Sequence, residues 1–142
     1  LRSLVGSEMC IRDRAKNNND ILEQMYSDIS SYGIELGLTR YMSSGIGFVF
    51  TRNLKELTGA TLMKMVFAFK MAYIRAVDRV LNIKLPLILD SPSGKELDQH
   101  NIQKLMDIIN RDFSAHQVIV ASIYYYKLDN LITIEMGRRV VC

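Results

Sequence analysis

The chain has 142 residues, 49% apolar and 23% charged, enough for one ordinary globular domain with its own core and too apolar for wholesale disorder. Its formal charge of +3 comes without a block of Lys or Arg, so charge alone designates no nucleic-acid partner. Cys10 and Cys142 stand far apart, in a spacing that suits neither a zinc site nor a disulfide framework, and a reducing cytoplasm is the expected location.

Residues 1–14 need separate treatment. LVGSEMCIRDR resembles a translated transposon library adapter, one frame of which encodes these residues through Asp13 and begins the codon for Arg14. The segment is expected to be an adapter-derived, disordered artefact and is set aside from fold reasoning. On that expectation the reading frame opens inside a gene and upstream domains are missing. The alternative is a genuine, slightly basic tail.

Residues 15–35 read as an amphipathic helix. Ile21, Leu22, Met25, Ile29 and Tyr32 recur at helical spacing, with Asp20 as its N-cap and Gly33 as its stop. Residues 45–50, GIGFVF, are short, apolar and bounded by Ser43, Ser44 and Asn53, the signature of a strand.

The longest helix is expected after Thr58-Gly59. Leu62, Met65, Val66, Phe69, Ala72, Tyr73, Ala76, Val77 and Val80 keep a 3.6-residue period, which predicts a mostly buried element. Thr58 suits an N-cap, and Gly59 leaves room for an anion to approach the first free amides; an ordinary helix cap has the same composition. Lys64, Lys70 and Arg75 interrupt the apolar run, so it is no membrane span and no membrane partner is expected.

Residues 85–98, LPLILDSPSGKELD, organise the rest. Leu85, Leu87, Ile88 and Leu89 suit a strand covered on both faces, and Asp90 falls at its carboxyl end, where parallel α/β sheets place their ligands. A polar loop leads to Asp98, a candidate cap for a helix whose core stripe is Ile102, Leu105, Met106, Ile109 and Phe113. Residues 117–124 form an apolar strand and residues 131–136 an alternating one.

The order of these parts resembles the C-terminal lobe of an SMC-like, ABC-type ATPase, the branch whose P-loop head is split by a long coiled coil. LTGAT is similar to the family's LSGGE signature, LPLILD to its Walker B strand, Leu97-Asp98 to the end of its D-loop, and QVIVAS to the strand before its switch histidine. The likeness covers roughly residues 30–136. It implies an α/β fold, the C-terminal half of a P-loop head, with three or four mainly parallel strands and flanking helices. Residues 15–35 would end a returning coiled coil, and residues 36–142 would form an incomplete ATPase lobe.

The resemblance further implies ATP and Mg2+ as cofactors. Asp90 would hold the metal through water, Thr58, Gly59 and Ala60 would touch a nucleotide held by the opposing subunit, and Asp98 would contact that subunit. The implied partners are a second head, a Walker A lobe missing from this chain, and DNA. Two departures bear on turnover: the catalytic Glu is replaced by Ser91, and the switch His position holds Ile123. Neither replaces the lost basicity or hydrogen bond. Asp98 falls eight positions after Asp90, one more than usual, and Glu96 is a candidate substitute carboxylate from that longer loop, or else a solvated charge.

No G-x-x-x-x-G-K-S/T motif occurs in the chain. Three functions therefore stand beside one another: an ATPase active only as part of a longer protein, a nucleotide-binding dimerisation module without hydrolysis, and a non-enzymatic α/β interaction domain. His100 and His116 read as structural or exposed. Tyr124, Tyr125 and Tyr126 would make a base-stacking platform only within a basic groove, and with only Lys127 close by in sequence they read as strand-end packing.

Overall fold

Helical periodicity produces a long first helix, α1 (Arg2–Glu35). The computed structural model describes residues 2–45, 47–48, 54–90, 97–122, 124–129, 132 and 134, and of residues 2–18 and Lys55 the backbone alone. Backbone helix thus begins inside the segment expected to be disordered. Once a helix has nucleated, each further residue adds a hydrogen bond without a new nucleation cost, which favours extending α1 backwards. Asp20 lies within the helix rather than capping it.

The stop is Gly37, not Gly33. Leu38 N–H donates to the Gly33 carbonyl at 2.7 Å and Gly37 N–H to that of Ile34 at 3.0 Å, a Schellman closure that needs the left-handed φ of +75° at Gly37. Gly33 serves another purpose. A Cβ there would lie 2.9 Å from Met42 Sδ, so glycine leaves room for the Met42 side chain.

The chain then makes a 3₁₀ turn at Thr39–Tyr41 and reaches the segment expected to be a strand. Of that segment Gly45, Gly47 and Phe48 are described, and none is extended: Gly45 bends at φ +97°, Gly47 lies in a turn, and Phe48 is helical, its N–H donating to Gly45 O. Gly45 favours reversal over extension. Phe48 is buried against Tyr26 and Phe69, at ring separations of 6.3 and 5.7 Å.

A second 3₁₀ turn, Leu54–Glu56, precedes α2 (Gly59–Leu81), which packs along α1. Ile29 and Tyr32 of α1, and Leu36 just after it, share the core with Met65, Phe67, Ala68, Met71 and Ala72 of α2. Ala68, Ala72 and Ala76 are buried as well. Tyr73 and Val80, expected inside, are exposed, because α2 has neighbours on only part of its circumference. The helix ends on Asn82 in the left-handed conformation.

From there β1 (Leu87–Asp90), α3 (Gln99–Asp112) and β2 (Val118–Ala121) form one crossover unit. The strands are parallel, in register from Leu87 opposite Val118 to Asp90 opposite Ala121. Asp98 caps α3 by accepting from Asn101 N–H at 2.7 Å. Ile102, Leu105, Met106, Ile108, Ile109 and Phe113 bury the inner face of α3, each large side chain contributing roughly 1.5–3 kcal/mol.

The fold is therefore α/β: three helices and a two-stranded parallel sheet among the described residues. β1 is covered on one face rather than two, since Leu87 is buried while Ile88 is 69% exposed, and Ile119 beside it on β2 is exposed as well. Ile132 and Ile134, from the expected last strand, are exposed and in no strand; the rest of that stretch lies outside the described residues. No helix among the described residues is long and apolar enough to cross a membrane.

Candidate functional site

Asp90 occupies the carboxyl end of β1, level with Ala121 at the end of β2. Its carboxylate is exposed there, the place where an open parallel sheet presents ligand-binding groups. Ser91 and Glu96 follow in residues 91–96, which lie outside the described residues, as does Ile123. Magnesium commonly takes one or two carboxylates and completes its shell with water and phosphate. Asp90 fits that limited donor role. Among the described residues no group of three or more His, Cys, Asp or Glu could form an all-protein cage.

Asp98 stands at the same end of the sheet as Asp90, because α3 runs antiparallel to the strands it connects. The Asn101 amide, followed by the charges of His100 and Lys64, holds its carboxyl below the usual range. Lys64 belongs to the second turn of α2, whose start holds Thr58, Gly59 and Ala60.

Thr58 is exposed and extended, and its side chain makes no capping hydrogen bond. Gly59 has φ +59° and open space around the position a Cβ would take. The expected access to the α2 N-terminus is therefore present, with Thr58 acting as a backbone boundary rather than a side-chain cap. Asp98 is the side-chain cap of the pair.

A second constellation was not singled out from sequence. Tyr32, 1% exposed, donates its hydroxyl proton to Asp112 Oδ2 at 3.0 Å and accepts from Arg75 Nη1 at 3.1 Å. Arg75 lies 3.4 Å from Asp28, which also pairs with Arg79. Arg111 forks onto Glu35 with two bonds of 3.1 Å and onto Asp112 with two of 2.9 Å. These groups tie α1 to both α2 and α3.

Burial raises the Tyr32 phenol to about 12, against the opposing pull of Arg75. The Arg111 hydrogen bond holds Asp112 below the usual carboxylate range, aided by Tyr32 and Arg75. The sequence signal was the i,i+4 spacing of Asp28 with Tyr32 and of Arg75 with Arg79, polar groups on otherwise apolar faces. His116 is buried as a structural group: its Nδ1 meets the Leu85 carbonyl at 2.9 Å and its ring packs edge-on to Phe113. His100 is exposed.

Comparison with protein-family models, curated proteins and solved structures gives no match to this chain.

Proposed function

We propose that this chain is the C-terminal lobe of an SMC-like, ABC-type ATPase head, which dimerises with a second head around ATP. The observation that supports this reading most directly is Asp90 at the carboxyl end of a parallel strand, with Asp98 capping the helix that follows. A Walker A lobe contributed by another segment would complete the sheet. Ile88 and Ile119 leave an apolar face on which such a lobe has something to cover.

In this reading Asp90 orients metal-bound water, the α2 N-terminus and Gly59 offer amides to the opposing nucleotide's phosphate, and Asp98 meets the partner head. Bound magnesium would supply charge neutralisation at the transferring phosphoryl group. Ser91 favours a second reading, a head that binds nucleotide and dimerises without hydrolysis, because serine lacks a general base's affinity for protons. DNA is the proposed object of head movement in either reading.

The test is nucleotide-dependent dimerisation and turnover of a protein completed with its Walker A lobe. Asp90→Asn is expected to abolish magnesium-dependent dimerisation, and unaltered dimerisation and turnover would contradict the proposal. Glu96→Gln is expected to lower turnover if that carboxylate substitutes for the missing Glu; an unchanged rate removes it from the mechanism.

A further inference from the structure

Leu87 N–H donates to the Gln117 carbonyl at 2.8 Å, and the strands run parallel with Leu87 opposite Val118. In a parallel ladder one residue turns its N–H and C=O toward the neighbouring strand and the next turns both away. Leu87 and Leu89 therefore bond to β2, and Ile88 directs both of its backbone groups to the other side. Among the described residues β1 pairs with β2 alone, so that side of the strand is an open edge. Unpaired backbone groups along such an edge are a ready template for another strand.

A cleft of about 220 Å³ runs along this edge, between β1 and α2. Residues 86–89 line it together although alternate side chains point to opposite faces, and among the described residues none of β2 lines it, so it lies beside the strand rather than on either face. From α2 come Phe67 and Met71, both buried, with Ile74 partly buried and Tyr73 58% exposed. The volume is below the roughly 300–1,000 Å³ of small-molecule pockets, which suits one inserted side chain better than a whole ligand. Lys70 is the one charged side chain on the lining; it is exposed and has no ion-pair partner among the described residues.

We propose that the open edge of β1 binds an extended segment of a partner polypeptide by strand addition, with one bulky aliphatic side chain in the cleft and a carboxylate two positions from it facing Lys70. Strand addition draws affinity from main-chain hydrogen bonds, here to Ile88 N–H and C=O, and specificity from a pocket for one side chain. Residues two apart share a face of the added strand, so the aliphatic group and the acid reach the α2 wall together. The site does not depend on the ATPase reading, because the same sheet has a second edge, at β2, by which a further lobe can join.

The experiment titrates the nitrogen-15-labelled 142-residue chain, without nucleotide or magnesium, with the acetylated and amidated peptide Thr-Glu-Thr-Ile-Thr-Glu-Thr, following backbone amides by NMR. A saturable shift of the Ile88 amide is expected. A peptide with serine in place of isoleucine should bind at least about tenfold more weakly, since it leaves the apolar cleft unfilled. A peptide with lysine in place of both glutamates should also bind more weakly, and added salt should narrow that difference.

Two variants separate the site from general stickiness. Lys70→Glu changes an exposed side chain, so the fold should survive, which circular dichroism checks, and the preference should reverse toward the lysine peptide. Ile88→Pro removes the edge N–H while the bonds to β2 run through Leu87 and Leu89, and it should abolish binding. Asp90→Asn should bind the peptide normally, which keeps this site distinct from the ATPase reading. No saturable shift at millimolar peptide, equal binding of the serine peptide, or an unchanged charge preference in Lys70→Glu would overturn the proposal.

Discussion

Tyr32 shows how much one side chain decides in this molecule. Its ring fills the α1–α2 core, while its hydroxyl joins Arg75 to Asp112 where an unpaired phenol would be costly. Tyr32→Phe keeps the ring and removes both bonds, and chemical denaturation should show a loss of about 1–2 kcal/mol. The same network sets the pH limits. The phenol's value is raised on folding, so its contribution is complete below pH 10 and declines as pH rises from 10 toward 12. Asp112 has the opposite sign: its value is depressed, so its contribution is present above about pH 4 and is lost as pH falls below that. Thermal melts across pH should therefore show a plateau with an acid and an alkaline edge, and Asp112→Asn should flatten the acid edge. Ser30 is the contrary case, a buried hydroxyl oxygen without a hydrogen-bond partner among the described residues. Ser30→Ala should raise stability by about 1 kcal/mol in the same denaturation assay, since it removes a desolvated polar atom.

At the scale of elements, the helices were legible and the strands less so. The α3 stripe and its Asp98 cap were readable because an amphipathic period and an Asp before it are local signals. The end of α1 was misplaced by four residues between two glycines. Gly33 is there for its closeness to Met42 and Gly37 for its backbone angle, a distinction that only the packed chain reveals. Gly37→Ala should therefore cost about 1 kcal/mol or more in a thermal melt, the usual penalty for a Cβ in the left-handed region. In β1 the apolar run suggested two covered faces, but period-two alternation separates Leu87 from Ile88. Leu87→Ala should cost about 2–5 kcal/mol and Ile88→Ala much less, compared by denaturant midpoint.

At the scale of the whole molecule, the chain builds one crossover unit beside a helical pair and leaves an apolar sheet face in water. That face follows from the alternation of the strands: Leu87 turns into the core, and Ile88 and Ile119, paired on the opposite face, stand exposed. Of the candidate site, Asp90 and Asp98 were readable because strand ends and helix caps are positions in a pattern. The Asp28–Arg75–Tyr32–Asp112 network was not, because it joins residues remote in sequence and arises only when α1, α2 and α3 meet.

The ATPase reading requires a P-loop outside this chain, so the most direct measurement is the sequence of the same locus, upstream of Ala15, read from unfragmented DNA. It should encode G-x-x-x-x-G-K-S/T followed by long heptad repeats. A start codon near Ala15 with no P-loop upstream would contradict the reading and leave an α/β interaction domain.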